Sequence, residues 1–204
     1  MKYFDKLKKY FPELSNKKIN SYKNLYSIYE ELNSKINLIS RKDFENFYLH
    51  HVLHSLSIVK LKLIKSDNLK IIDIGTGGGI PGIPLSIYYD ANEFILIDSM
   101  KKKINAIKII KKELKLKNIT LINNRIENEN LKVDIALTRA VSSLSNIYEW
   151  SKNSINKKGM ILNLKGGNID NEIKELNKKT KIFNLSAYYS EKFFETKKIV
   201  LIQA

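Results

Sequence analysis

The chain has 204 residues, no cysteine and a formal net charge of +15, a length that buries a core without staples and a composition that excludes disulfides and cysteine-based zinc sites. No apolar run approaches the ~20 residues that span a bilayer, and the opening MKYFDKLKKYF lacks the continuous apolar stretch of a signal peptide, so a soluble cytoplasmic protein is expected. A balance this basic favours a polyanionic partner, nucleic acid before membrane.

Residues 1–65 carry 13 Lys+Arg against 6 Asp+Glu, about twice the charge density of the remainder. This stretch reads as helical. Leu25, Ile28, Tyr29, Leu32 and Ile36 follow the spacing of one buried helix face. Asn37-Leu38-Ile39-Ser40 interrupts the pattern, and Ser40 is placed to cap a second helix running to about residue 64, with Asp43 at its acidic start. Phe44, Phe47, Tyr48, Val52, Leu56, Val59 and Leu63 form that helix's apolar face. Residues 1–66 are therefore expected to be a basic helical extension, and residues 67–204 the main domain.

From residue 69 short β-branched runs (LKIIDI, FILID, ITLIN, VDIALT, GMILNL) alternate with helical stretches. This alternation predicts a mostly parallel sheet with helices on both faces and right-handed connections. KIFNLSAYYS and KKIVLIQA, with no helix between them, complete seven strands as an antiparallel pair at one edge.

The segment Ile71-Ile72-Asp73-Ile74-Gly75-Thr76-Gly77-Gly78-Gly79-Ile80-Pro81-Gly82 runs an apolar strand into a glycine-rich turn, with a helix expected from near Pro84. Such a turn admits positive φ and lets a ligand approach the backbone at a helix N-terminus. Gly77, Gly79 and Gly82 satisfy G-x-G-x-x-G, but a dinucleotide turn needs its first glycine at the strand end, and Gly75 stands there. The series Asp73, Gly75, Gly77, Gly79 instead resembles the first motif of class I methyltransferases, with Asp73 ordering the loop near the methionine end of the cofactor. Asp98, closing the second strand about 20 residues on, suits ribose hydroxyls; it suits a cap for the following helix as well. After the third strand, a backbone N–H and an apolar side chain in Arg125-Ile126-Glu127 are placed to clasp an adenine.

Taken together, Asn37-Leu38-Ile39-Ser40-Arg41, DIGTGGGIPGIP from Asp73 to Pro84, Leu96-Ile97-Asp98-Ser99, Arg125-Ile126-Glu127, Thr138-Arg139-Ala140 and Leu164-Lys165-Gly166 resemble the ribosomal small-subunit methyltransferase G family, also called glucose-inhibited division protein B. The resemblance implies a Rossmann-like class I S-adenosylmethionine-dependent methyltransferase that acts on N7 of a guanine in 16S ribosomal RNA or the small subunit. It implies cofactor contacts at Gly75, Ile80, Ile126, Glu127 and Arg139, beside Gly77 and Asp98 from the loop and strand arguments. All three arginines of the chain, Arg41, Arg125 and Arg139, fall inside the matching pieces, where a planar fork of donors is useful.

Guanine N7 carries an in-plane lone pair, so positioning matters more than a general base. Arg139 is expected to link cofactor and RNA through O6 or a phosphate, Lys165 to neutralise a phosphate, and Arg41 to reach the mouth of the site from the basic N-terminus. The chain departs from the family at His50 and His54, where an arginine and an aspartate are expected around the histidine matching His51. His50 and His54 stand at i, i+4 with no third ligand, and are read as helix-surface histidines with no metal. Three other readings stay open: a non-catalytic RNA-binding assembly factor, a methyltransferase of a small molecule or protein, and a nicotinamide enzyme. Neither a membrane nor an obligate protein partner is inferred.

Overall fold

The computed structural model describes residues 1–203. Its centre is a seven-stranded sheet of β1 (Lys70–Ile74), β2 (Glu93–Ile97), β3 (Ile119–Ile122), β4 (Val133–Arg139), β5 (Ile155–Gly166), β6 (Thr180–Asn184) and β7 (Lys197–Gln203), in the order β3-β2-β1-β4-β5-β7-β6. The first five strands are parallel, and β7 inserts antiparallel between β5 and β6. Helices join β1 to β2, β2 to β3 and β4 to β5, whereas β3 reaches β4 through a connection that holds one short 3-10 turn, and β6 and β7 need only two such turns between them. The strand order reverses between β1 and β4, and this switch point opens the crevice where ligands bind such sheets.

Strand alternation divides the core in two. Ile71, Leu96, Leu137 and Leu162 face one side; Ile72, Ile74, Ile97, Ala136 and Ile161 face the other. On the first side lie α4 (Gly82–Tyr88) and α5 (Lys101–Glu113); on the second lie α6 (Leu144–Ser151) and α7 (Asp170–Leu176).

The N-terminal 66 residues do not stand apart. Leu7, Tyr22, Leu25, Tyr29 and Leu56 belong to the same apolar cluster as the first face of the sheet. They come from α1 (Phe4–Tyr10), α2 (Asn16–Lys35) and α3 (His54–Lys60). Ser15 caps α2 by accepting from the Lys18 amide at 3.3 Å, and the buried face is Tyr22, Leu25, Tyr29 and Leu32. Ile28 is only half-buried, and Ile36 lies just past the helix end.

The second predicted helix is broken into three parts. Arg41–Asn46 is a 3-10 turn, Phe47–Leu53 a π-helix, and only His54–Lys60 is regular, so Leu63 lies beyond it. Ser40 makes no side-chain cap. Its expected acidic neighbour, Asp43, turns instead to the side chains of Asn46, His50 and His51. Wide turns of this kind re-aim side chains and recur at functional sites; here the wide turn carries His51. Among the described residues no helix is long and apolar enough to cross a membrane.

Candidate active site

The glycine loop leaves β1 through Gly75, Gly77 and Gly79, all at positive φ. Asp73, fully buried in β1, holds its two ends together: Oδ2 accepts from Thr76 Oγ1 at 2.6 Å and from the Gly82 amide at 2.8 Å. Burial pushes the Asp73 carboxyl up to about 7, against those two hydrogen bonds. Asp73 therefore orders the loop from beneath, and α4 begins at Gly82, two residues before the expected Pro84. From above, Asn33 accepts from the amides of Leu38 and Ile39 and donates to the Ile39 carbonyl, all at 2.9 Å. That seats Leu38 against Gly78, while Tyr29 donates its hydroxyl hydrogen to the Gly78 carbonyl. The N-terminal residues thus form the outer wall of the loop.

Two cavities meet at the carboxyl ends of β1, β2 and β4. The first, about 340 Å³, lies between Ile74, Ile97 and Asp98 on one side and Ile126, Glu127 and Trp150 on the other. Asp98 accepts from the Gly77 amide through Oδ2 at 2.9 Å and from the Met100 amide through Oδ1 at 2.8 Å. A carboxylate has about four acceptor positions, so two remain for vicinal hydroxyls. The alternative role as a cap is replaced by this turn into α5, whose N-cap is Met100. Lys103 Nζ stands 3.9 Å from Asp98 Oδ2.

The second cavity, about 240 Å³, is bounded by Ser40, His51, Gly77, Ile80 and Arg139, and shares Gly75, Lys103 and Ala140 with the first. Arg139 closes its floor. Nη1 donates to the His50 carbonyl at 3.1 Å and Nη2 to His51 Nδ1 at 2.6 Å. A guanidinium only donates, so His51 Nδ1 accepts and its Nε2–H donates to Asp43 Oδ2 at 2.9 Å. His50 Nδ1 takes the other oxygen of Asp43 at 2.6 Å. The outcome is a chain, Asp43–His51–Arg139, that fixes one tautomer and one guanidinium plane. Burial brings Arg139 down to about 10, with the charges of Asp43 and Asp73 opposing; it is cationic at neutral pH.

The histidines are not a surface set. His51 and His54 are buried, and His50 stacks on Phe193 with ring centroids 3.9 Å apart. Burial and the nearby Arg139 charge drive His51 down to about 3, although Asp43 pulls the other way. Burial, Arg139 and Lys197 put His54 well below the imidazole range. Both fold neutral, whereas unfolded they take up protons near pH 6.5. Between about pH 6.5 and 4 the unfolded chain therefore binds two more protons at these rings, and stability falls as pH drops. Asp73, raised to about 7, binds its proton in the fold first and cancels about one of them. His54→Gln is expected to remove one proton's worth of slope, about 1.4 kcal/mol per pH unit between pH 6 and 4. Urea titrations at three pH values measure it; parallel slopes in variant and parent would count against a buried neutral His54.

Gly75, Gly77, Ile80, Asp98, Ile126, Glu127 and Arg139 all line one or both cavities. Arg125 lines the first as well. Arg41 and Lys165 line neither. Arg41 is exposed, stands next in the chain to Ser40, which bounds the second cavity, and reaches the Ser34 carbonyl at 3.5 Å. Lys165 donates to Glu172 Oε2 and to the Ser142 carbonyl, each at 2.7 Å, so its charge is already matched and it braces the turn after β4. Lys103, Trp150 and Val141 carry no motif that marks them in the sequence, while Leu38 is marked only as part of the matching piece Asn37–Arg41 and Tyr29 only as a buried helix position. Lys103 hides in a lysine triplet, and Trp150, the single tryptophan, stands out by its rarity alone.

A protein family described as rRNA small subunit methyltransferase G matches residues 16–200. The chain is 43% identical over 202 residues to the ribosomal RNA small subunit methyltransferase G of Christiangramia forsetii, covering 96% of this chain and 95% of that one. It is 42% identical over 202 residues to the protein of that name from Bacteroides thetaiotaomicron, covering 96% and 97%. Among solved structures, a precorrin-6y C5,15-methyltransferase from Geobacter metallireducens superposes with a TM-score of 0.55 at 13% identity over 82% of this chain and 90% of its own. A SAM dependent methyltransferase from Aquifex aeolicus gives 0.55 at 13% identity over 72% and 87%. At such identities these two speak for the fold alone, which is that of the class I methyltransferases.

Proposed function

The chain belongs to the rRNA small subunit methyltransferase G family, and on that premise we propose that it transfers a methyl group from S-adenosylmethionine to N7 of a guanine in 16S ribosomal RNA. The observation that carries the reading is the pair of cavities joined at Gly75, Lys103 and Ala140. The first fits an adenosine: apolar Ile97, Ile126 and Trp150 for the base, and two spare acceptor positions on Asp98 for the ribose hydroxyls. The second has room at Gly77, where a Cβ would meet nothing nearer than 3.9 Å, and carries the cationic groups Arg139 and Lys103 for a carboxylate.

When bound, the cofactor supplies an electrophilic methyl on a sulfonium. The chain's own residues orient the acceptor. N7 has its lone pair in the ring plane and no proton to lose, so no general base is needed; His51, neutral and donating to Asp43, holds Arg139 and abstracts nothing. Arg139 then offers a fixed donor edge to guanine O6 or to a phosphate, which leaves N7 free to attack. Family membership favours this reading over an assembly factor, a small-molecule or protein methyltransferase, or a nicotinamide enzyme.

The test is transfer of label from radioactive S-adenosylmethionine to 16S RNA and to small subunits from a strain lacking the enzyme. Label recovered as 7-methylguanosine is expected. A protein that binds the cofactor but labels neither substrate, or labels another position, overturns the acceptor assignment.

A further inference from the structure

Nearly all of the net charge sits in two stretches. Residues 1–65 hold 13 basic against 6 acidic side chains, and residues 101–117 hold eight lysines against Glu113 alone. The second stretch is α5 and the turn after it. The helix buries Ile104, Ile107 and Ile110. On its outer side Lys101, Lys108 and Lys112 recur at helical spacing, and Lys115 and Lys117 continue the row. All five are exposed, and among the described residues none pairs with a carboxylate.

At the foot of α5 Lys108, Lys112, Lys115 and Lys117, together with Lys111, rim an open groove of about 710 Å³ floored by Ile109 and Leu116. Ile109 is 46% exposed, an unusual place for a large aliphatic side chain. Past Lys115 and Lys117 the groove continues into a hollow of about 310 Å³ walled by Lys17 and Lys18 of α2, where the one carboxylate, Asp90, is already held by Lys18 at 2.9 Å. Lys117 precedes Asn118, whose amide binds the carbonyls of Ser86, Tyr89 and Asn92. The groove therefore lies beside the N-terminal ends of the strands, at the opposite end of the sheet from the catalytic cavities. Along the 13 residues of α5, that separation is roughly 20 Å.

We propose that this groove is a second RNA-docking surface, which holds the phosphate backbone of the ribosomal RNA away from the target guanine; it rests on the function proposed above. Lysines are point charges that bind phosphate without reading sequence, and a row of them along the end of α5 and the turn after it suits a single strand. The apolar floor accepts the face of a sugar or an unstacked base. Two separated anchors on one rigid helix fix the angle at which the guanine enters the second cavity.

The test is a variant carrying Lys108→Gln, Lys112→Gln, Lys115→Gln and Lys117→Gln, none of which touches the catalytic cavities. With undermethylated small subunits, KM is expected to rise about 10- to 100-fold while kcat and cofactor affinity stay within about twofold. The slope of log affinity against log salt is expected to flatten by about 0.7–0.9 for each phosphate that the variant no longer neutralises. An unchanged KM and salt slope overturn the proposal. So does a variant that loses binding to anionic vesicles or to an acidic protein while its RNA affinity is preserved. If the parent protein methylates no RNA, the function proposed above fails instead. The groove is then judged on 16S RNA binding alone: a salt-sensitive loss in the variant supports it, and equal binding overturns it.

Discussion

Gly82→Ala is expected to destabilise the fold by about 2–4 kcal/mol and to lose cofactor binding with it. A Cβ at Gly82 would stand 2.7 Å from Asp73 Oδ2 and 3.0 Å from Leu96 Cγ. Both neighbours are buried and neither can step aside: Asp73 is tied to Thr76, and Leu96 is packed in β2. Overpacking at such a site costs about 1–3 kcal/mol, and losing the hydrogen bond from the Gly82 amide costs about 1 more. The gain in helix propensity offsets less than ~1 kcal/mol of that. In a chain of this size the melting temperature falls by roughly 4–16 °C. Gly77→Ala is the control. At φ +60 it carries strain of about 1–2 kcal/mol, yet its Cβ meets only Gly75 O at 3.9 Å and Lys103 Nζ at 4.0 Å, both in the wall of the second cavity. It should fold, and bind S-adenosylmethionine about 10- to 100-fold more weakly. Thermal unfolding and calorimetric titration of the two variants decide the matter. Equal melting temperatures for Gly82→Ala and the parent would refute the staple at Asp73.

That contrast shows where the sequence is readable. Gly75, Gly77 and Asp98 are legible because one local device, a strand running into a glycine turn, needs those residues at that spacing, and β1 to β5 are legible because buried parallel strands are continuous apolar runs. The seam between the N-terminal helices and the loop is not. Leu38 on Gly78 and Tyr29 on the Gly78 carbonyl join segments 40 and 49 residues apart, and no local period encodes them. The histidines mislead for a related reason. An i, i+4 count assumes a regular α-helix; over Phe47–Leu53 the backbone is a π-helix, which turns His51 and His54 inward. Lys165 stands at the end of β5 as expected, but its partner Glu172 lies on the helix that follows, and pairing is invisible until that helix folds back.

Arg139→Ala is expected to cut kcat/KM for methyl transfer by about 100- to 1,000-fold, the size of effect produced by removing one fixed donor from a partly dry site. Among the described residues the guanidinium is the only arginine side chain bounding the second cavity, and its plane is set by two acceptors, the His50 carbonyl and His51 Nδ1. Lysine supplies the charge without that fork, so Arg139→Lys is expected to recover little. His51 acts through Arg139 and not on the substrate. His51→Ala should therefore cost less than Arg139→Ala, and the double variant should be no worse than Arg139→Ala alone, a departure from additivity that separates positioning from independent contact. Asp43→Asn probes the next link: the amide oxygen still accepts from His51 Nε2, while the negative charge that opposes the burial of Arg139 is gone. Its loss should appear as a fall in kcat with cofactor affinity retained. Near-normal cofactor affinity together with near-normal methylation in Arg139→Ala would remove both roles assigned to the residue, and would leave Lys103 as the remaining cation at the junction of the two cavities.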